Sequence, residues 1–110
     1  MKAPLRALAG CLVAAGAIAA GPAAEPQAAD GNALFVDNCG GCHLEGGFGT
    51  RVLSRRVAEG EALLERRSYL PTEFTKAVVR QGIGSMPQIR EAELSDEQLD
   101  LIARYLDRKQ

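Results

Sequence analysis

The residues of this chain that are best suited to chemistry are few, and most carry sulfur or an imidazole. Cys39, Cys42 and His43 form a C-x-x-C-H motif, with Gly40 and Gly41 between the two thiols. Two thiols at this spacing beside an imidazole can form a redox dithiol, bind a metal or bond to a cofactor. Because His43 is the only histidine of the chain, sites that need two imidazoles are excluded.

The order C-x-x-C-H is the attachment signature of c-type haem. The thiols of Cys39 and Cys42 add to the two vinyl groups of one haem as thioethers, and His43 is then held beneath the iron as its proximal ligand. Glycine at positions 40 and 41 lets the backbone lie close to the porphyrin edge, which a larger side chain would crowd. We therefore predict one covalently bound haem c per chain.

Three other interpretations compete for the same motif. A thioredoxin-like dithiol belongs beside a strand of a βαβ unit, and no stretch of the sequence shows the alternation of strands. A zinc site needs four ligands, and only carboxylates could complete the set that Cys39, Cys42 and His43 begin. A structural disulfide leaves the histidine unexplained. Haem attachment accounts for all three residues, and it is the interpretation that we favour.

Met86 is the candidate for the second axial ligand of the iron. Its thioether is a soft ligand that raises the potential of haem iron. It follows Gly82 and Gly84, which allow a close approach to the haem, and it precedes Pro87, which stiffens the loop. A lone methionine in a loop can be ordinary packing. The Gly/Pro surroundings, and the length of chain after His43, favour the ligand role.

Residues 1–29 have the composition of a secretory signal peptide. Lys2 and Arg6 precede an apolar run of about fourteen residues, which is too short to span a bilayer, and small residues follow it. Cleavage after Ala29 leaves residues 30–110 as the mature domain. Cys11 ends a Leu-Ala-Gly-Cys lipoprotein box, but most of the apolar run follows it, so we interpret it as part of that run. A membrane attachment is expected only if Cys11 is lipidated.

The composition leaves room for one small domain. Of 110 residues, 46% are apolar and 25% charged, and the formal net charge is −1. A chain without a basic excess gives no indication of a nucleic-acid partner. The mature part, residues 30–110, is small enough that its core needs a disulfide, a metal or a cofactor.

The elements that must position the site are short helices. Asp30 can cap a helix over residues 30–39, residues 40–50 form a glycine-rich loop, and residues 51–70 stay ambiguous.

Two further helices follow. Pro71 begins one that ends at Gly82, residues 82–93 form the loop of Met86, and Ser95 caps the last helix in a capping box with Gln98. The apolar positions of these two helices are Phe74, Ala77 and Val78, then Leu99, Ile102, Tyr105 and Leu106. The sequence predicts an all-α fold of three to five short helices around one haem.

With these motifs, residues 30–107 resemble the class I mono-haem cytochrome c family. In that family an N-terminal helix crosses the C-terminal helix through a glycine and an aromatic residue, which Gly31 and Phe35 match, with Ile102 and Tyr105 at the facing positions. The resemblance implies thioethers at Cys39 and Cys42 and axial ligation by His43 and Met86.

One departure from the family concerns the residue that orients the proximal histidine. The family often has Gly-Pro after the haem motif, with a backbone carbonyl that accepts from this histidine. Here Thr50 follows Gly49, so the rigidity of proline is missing, although the Thr50 carbonyl can still accept from His43 Nδ1.

A narrower resemblance concerns residues 70–90, which are similar to the cytochrome subunit of p-cresol methylhydroxylase-type flavocytochromes. It rests on Leu70-Pro71, Val78-Val79-Arg80 and Gly84-Ser85-Met86-Pro87. This resemblance implies a flavoprotein dehydrogenase as the electron donor.

Charged residues are clustered at two places. Residues 91–100 are acidic and stand where a helix dipole favours negative charge. A run of arginines is usually a solvated face, but one or two of its members can pair with haem propionates or face an acidic partner. The arginines of the middle of the chain are Arg51, Arg55, Arg56, Arg66 and Arg67.

These observations predict a periplasmic electron carrier that is not itself an enzyme, because both axial positions of its iron are filled. Its expected partners are a flavoprotein or other periplasmic dehydrogenase as donor and an oxidase or another cytochrome as acceptor. Two alternatives stay open: a permanent cytochrome subunit of a flavoprotein dehydrogenase complex, and a haem catalyst or sensor with an open axial site.

Overall fold

The computed structural model describes residues 30–107 and the single residue Gly21. The elements of this part are α1 (Gly31–His43), α2 (Phe48–Leu53), a 3₁₀ turn (Leu64–Arg66), α3 (Thr72–Gln81) and α4 (Asp96–Asp107). No β-strand forms within it, so the predicted all-α fold of short helices is confirmed. Apart from Gly21, the predicted signal peptide lies outside the described residues, as does Cys11.

The centre of the fold is the crossing of α1 and α4. A Cβ atom added to Gly31 would lie 2.4 Å from the carbonyl oxygen of Leu101 and 2.8 Å from Cβ of Tyr105, so only glycine allows the helices this close. Phe35 is fully buried one turn further along α1, with its ring centroid 6.2 Å from that of Tyr105. The predicted crossing is confirmed.

Helix α3 packs on the other side of α4. Their ends are joined where the backbone N–H and the hydroxyl of Thr72 donate to the Asp107 carboxylate, at 3.1 and 2.6 Å. The predicted capping box is present, since the N–H of Ser95 donates to Gln98 Oε1 and the N–H of Gln98 donates to Ser95 Oγ. The buried apolar core consists of Leu34, Phe35, Leu70, Val79, Leu94, Leu99, Ile102 and Leu106.

Two expectations about the helices are wrong. The loop predicted over residues 40–50 is shorter, because α1 continues through Gly40 and Gly41 to His43 and α2 already begins at Phe48. Tertiary packing overrides the low helix propensity of glycine here: Gly40 is buried, and a Cβ atom on it would lie 3.0 Å from Leu44 Cδ1. In α3, Ala77 is exposed, and the residues that enter the core are Thr75 and Val79.

Candidate functional site

The extension of α1 gives the C-x-x-C-H motif a helical geometry. Cys39, Cys42 and His43 occupy positions i, i+3 and i+4 of one helix, and residues at this spacing share a face. Cys39 is half-buried, Cys42 is exposed, and both are free thiols. The helix therefore presents two sulfur atoms and an imidazole side by side.

An apolar cavity lies between this face and the remaining helices. It encloses about 690 Å³ of space that is partly open to solvent, within the usual size range of cofactor sites. Cys39, His43 and Met86 all line it. Apart from Thr75 and Arg67, the other lining residues are apolar: Phe35, Leu53, Leu64, Leu70, Phe74, Val78, Val79, Ile83, Ile102 and Leu106.

A second cavity of about 780 Å³ continues from the first. The two share four lining residues, which are His43, Leu53, Ile83 and Met86. Cys42 lines the second cavity and Cys39 the first. The structure thus brings all four sequence-predicted site residues to the walls of two adjoining cavities, with His43 and Met86 on both.

Met86 is presented by a tight turn that begins after α3. Ile83 and Met86 exchange backbone hydrogen bonds of 3.1 and 2.9 Å across Gly84 and Ser85. Gly84 has a φ of +57° and Gly82 a φ of +72°, values that favour glycine. A side chain at position 82 would also meet the Met86 carbonyl oxygen at 2.8 Å. The glycines of this loop therefore set the position of the methionine.

Arg80 holds the Met86 loop against the frame of helices. Its guanidinium donates to the carbonyl oxygens of Ile89 and Leu94, at 3.0 and 2.9 Å, and to the Asp96 carboxylate at 2.6 Å. Two acceptors from the connection between α3 and α4, and one from the first residue of α4, converge on one planar guanidinium, which has several donors in a fixed geometry. The sequence analysis did not identify this role, because it depends on contacts between distant residues.

The imidazole of His43 lies close to the backbone of residue 49. This close approach is possible only because residue 49 is glycine. A Cβ atom on Gly49 would come within 3.0 Å of Cε1 and 3.2 Å of Nδ1 of the imidazole. The expected bond from Nδ1 to the Thr50 carbonyl is not formed: that carbonyl accepts the N–H of Ser54, and Nδ1 has no hydrogen-bond partner. Thr50 acts instead through its hydroxyl, which donates to the Leu44 carbonyl at 2.9 Å.

The surroundings of His43 and Cys39 keep both side chains uncharged at neutral pH. Burial lowers the pKa of His43, and the positive charge of Arg67 lowers it further. Its imidazole is therefore neutral, the form that coordinates metals. Burial, together with the nearby Cys42, raises the pKa of the Cys39 thiol to about 11.

These features weigh against the alternatives for the motif. A catalytic redox dithiol needs a lowered thiol pKa, the opposite of what Cys39 has. Among the residues that the structure describes, no group of three His, Cys, Asp or Glu side chains is arranged to hold a metal ion, so the zinc interpretation lacks its ligands.

Arg67 differs from the other arginines of the middle of the chain. It lines the first cavity, its Nε donates to the Glu61 carbonyl at 3.1 Å, and its Nη2 is buried without a partner. A buried guanidinium nitrogen that lacks an acceptor is costly. The remaining arginines are exposed and make no ion pair within residues 30–107, and they are Arg51, Arg55, Arg56 and Arg66.

Known proteins resemble this chain in sequence. Residues 26–106 match the family model described as cytochrome c oxidase, cbb3-type, subunit III. Cytochrome c6 of Gloeothece citriformis (strain PCC 7424) is 31% identical over 85 residues, which cover 77% of this chain and 74% of that protein. No solved structure matches the chain. Within residues 30–107, no helix is long and apolar enough to cross a membrane.

Proposed function

The chain belongs to the class I mono-haem cytochrome c family, and from that premise we propose that it carries single electrons in the periplasm. Family membership implies a covalently bound haem c and the role of an electron carrier. We assign the thioether bonds to Cys39 and Cys42 and the axial positions of the iron to His43 and Met86, with one haem per chain. The observation that carries this assignment is that Cys39, His43 and Met86 line one apolar cavity.

The residues present are suited to a haem. The cavity is lined mainly by aliphatic and aromatic side chains, as a porphyrin requires. The neutral imidazole of His43 and the thioether of Met86 are both ligands that haem iron accepts. Haem also carries two propionate carboxylates, and the buried Nη2 of Arg67, which has no partner, is a donor suited to one of them.

When bound, haem supplies a ferrous–ferric couple that accepts and releases one electron. The residues of the chain hold and tune this couple. The thioether of Met86 would favour the reduced state, and apolar residues such as Leu53 and Val78 would exclude water and so disfavour the more highly charged oxidised state. Iron held by both His43 and Met86 would have no position left for a substrate.

Export to the periplasm is proposed from the leader, residues 1–29. Cleavage after Ala29 is compatible with the fold of residues 30–110, because Asp30 is the cap of α1 and its carboxylate accepts the N–H of Asn32 at 3.2 Å. Cleavage one residue later would remove that cap. N-terminal sequencing of the protein from a periplasmic fraction tests the site, and a mature chain that begins at Asp30 is the expected result.

For the partners, we propose a flavoprotein or other periplasmic dehydrogenase as donor and an oxidase or another cytochrome as acceptor. A second candidate function is that of a permanent cytochrome subunit in a larger complex. A flavoprotein dehydrogenase complex is one example. The description of the matching family model, which names an oxidase subunit, favours membership of a complex. Size-exclusion chromatography of the native protein separates the two, since a free carrier elutes alone.

The ligand role of Met86 is tested by two substitutions. Met86→Ala removes the sulfur and the volume, whereas Met86→Leu removes the sulfur and keeps most of the volume. We expect both variants to retain covalent haem, to bind external ligands such as cyanide, and to lose potential by roughly 0.1 V or more, a fraction of the ~0.8 V range that axial ligands cover.

If Met86→Leu kept the wild-type potential, this result would contradict the ligand assignment. Met86 would then have only a packing role. Ready binding of cyanide by the wild-type protein, with no charge-transfer band of sulfur-ligated ferric haem, would favour a catalyst or sensor with an open axial site.

A further inference from the structure

The start of α2 lies directly against the end of α1, at the histidine of the C-x-x-C-H motif. The N–H of Gly47 and the hydroxyl of Thr50 both donate to the carbonyl oxygen of Leu44, at 3.0 and 2.9 Å. A Cβ atom on Gly47 would lie 2.4 Å from the carbonyl oxygen of Cys42, and one on Gly49 would lie 2.9 Å from the same atom. The two helices therefore meet backbone to backbone, and we call Gly47, Gly49 and Thr50 the joint residues.

The imidazole of His43 lies in this contact, with one edge towards α2. Its Cε1 and Nδ1 atoms are the nearest side-chain atoms to a Cβ atom placed on Gly49, at 3.0 and 3.2 Å. Nδ1 is buried and has no hydrogen-bond partner. A neutral imidazole that binds a metal through one nitrogen carries its proton on the other. With Nε2 on the iron, the Nδ1–H group is therefore enclosed by the protein without an acceptor.

The carbonyl groups of the joint are already used by other donors. The Gly47 carbonyl accepts the N–H of Arg51 at 3.0 Å, and the Thr50 carbonyl accepts the N–H of Ser54 at 2.9 Å. The Leu44 carbonyl accepts both the N–H of Gly47 and the Thr50 hydroxyl. The backbone beside the histidine therefore satisfies its own hydrogen bonds and leaves the imidazole out.

The residue at position 50 explains this arrangement. A proline there would disfavour the helical conformation at Gly49, so a chain with the Gly-Pro order could not readily begin a helix before it. With threonine at this position, α2 (Phe48–Leu53) includes both residues. The carbonyl that the family offers to its proximal histidine then points along the helix and bonds to Ser54.

We propose that His43 is oriented as an iron ligand by its packing against Gly49 and by the hydrogen bond from Thr50 to Leu44, and not by a hydrogen bond from Nδ1. The inference rests on the proposed function, in which His43 is an axial ligand. Histidines that bind metals almost always donate their second N–H, which fixes the ring and makes the ligand more basic. Here contact with the joint residues fixes the ring, and the imidazole remains the weaker electron donor of the two cases.

Nuclear magnetic resonance of the reduced, haem-loaded protein tests the missing hydrogen bond directly. The proton on Nδ1 of His43 is observed after labelling of histidine with ¹⁵N. Imidazole bound to haem in a dry apolar solvent, with and without an added amide, gives the two reference positions. We expect the His43 proton at the position found without the amide. A proton at the position found with the amide would overturn the proposal.

The role of Gly49 is tested in the oxidised protein, where the resonances of the haem methyl groups depend on the orientation of the axial imidazole. In Gly49→Ala the new methyl group would meet the edge of the His43 ring, so we expect these resonances to shift. The matched control is Arg51→Ala, which changes an exposed residue of the same helix and should keep the wild-type spectrum. An unchanged spectrum in Gly49→Ala, or an equal change in the control, would overturn the proposal.

A second pair of variants serves if Gly49→Ala prevents haem attachment. Thr50→Val keeps the shape of the side chain and removes the hydroxyl that donates to Leu44, whereas Thr50→Ser keeps the hydroxyl. We expect the haem methyl resonances to shift in Thr50→Val and to stay close to the wild-type positions in Thr50→Ser. The same spectrum in Thr50→Val as in the wild type would overturn the role of the hydroxyl.

The same spectra separate this proposal from the proposed function. The ring protons of an imidazole bound to haem iron are strongly shifted by the ring current of the porphyrin. If the His43 ring protons of the reduced protein lack this shift, His43 is not an axial ligand and the proposed function fails at that residue. If they have it and the Nδ1 proton is hydrogen-bonded, only the inference about the joint residues is wrong.

Discussion

The described chain divides into two regions that are stabilised differently. Residues 30–40 and 70–107, which we call the helical frame, contain every fully buried residue, whereas residues 41–69, the middle segment, contain none. The frame is held by contacts between helices, such as the crossing at Gly31. The middle segment turns Leu53 and Leu64 toward the cavity instead. A small fold can therefore specify a frame by itself and leave part of its packing to the cofactor.

The substitution with the largest expected effect disrupts the helical frame where α1 crosses α4. In Gly31→Val, the new Cβ atom would meet the Leu101 carbonyl at 2.4 Å, and backbone cannot move aside as a side chain does. We expect a loss of at least about 3 kcal/mol in the free energy of unfolding, the upper end of the usual range for overpacking. Chemical denaturation followed by circular dichroism measures it.

The control for this prediction is Asn32→Ala, at the next position of the same helix. The side chain of Asn32 is exposed, its backbone N–H still donates to Asp30 in the variant, and alanine is the better helix former. This variant should be as stable as the wild type or more so. A similar loss in both variants would mean that the crossing is not what holds the frame.

A second pair of substitutions compares the two regions directly. Leu99→Ala empties a site that is fully buried in the frame, at a cost of about 3 kcal/mol. Leu53→Ala removes a half-buried side chain of the middle segment that lines both cavities. It should cost about 1 kcal/mol and should alter the haem absorption bands. Equal losses of stability at the two positions would contradict the distinction between the regions.

Arg80 tests whether the frame also positions the site. Arg80→Gln leaves the carbonyl oxygens of Ile89 and Leu94 without this donor, and we expect a loss of about 2 kcal/mol. Because the loop also carries Met86, the charge-transfer band of the sulfur-ligated ferric protein should weaken in parallel. Arg80→Lys cannot reach all three acceptors. Its stability and its charge-transfer band should lie between those of the wild type and Arg80→Gln. A stability loss with an unchanged band would restrict Arg80 to a structural role.

The smallest effect concerns pH. Burial raises the pKa of Asp100, but hydrogen bonds from Arg104 and Lys76 outweigh it and hold the pKa below its ordinary value. A carboxyl whose folded-state pKa is lowered stabilises the fold above its unfolded pKa, near 3.9, and this contribution is lost as pH falls through the folded value. The wild type should therefore have a higher thermal stability than Asp100→Asn at pH 6. The two stabilities should converge in acid. A constant difference at every pH would contradict this.

Much of the frame could be predicted from the sequence because its signals are local. The capping box of Ser95 and Gln98 and the helix end at Gly82 are formed as expected. The continuation of α1 through Gly40 could not be predicted from propensity, since contacts with Leu44 decide it. The middle segment could not be predicted because it has no apolar periodicity of its own. Its side chains Leu53 and Leu64 face a cavity, not a neighbouring helix.

The candidate site likewise contains residues that the sequence alone identifies and residues that only the fold identifies. Cys39, Cys42 and His43 lie within five consecutive residues, so a motif identifies them, and the Gly/Pro-rich loop around Met86 identifies the methionine. The roles of Arg80 and Gly49 depend on residues that only the fold brings near. Phe74 and Val78 were predicted as apolar positions of a helix, and both line the cavity. An apolar pattern alone does not distinguish a cofactor from a neighbouring helix.

The central claim is that Cys39 and Cys42 bind haem through covalent bonds. The most direct measurement is the mass of the denatured protein, after expression with a working haem-ligation system and extraction with acidic acetone. We expect a coloured chain that retains the mass of one haem, located on the peptide that contains both cysteines. A folded chain without that mass, or haem that leaves with the solvent, would contradict it.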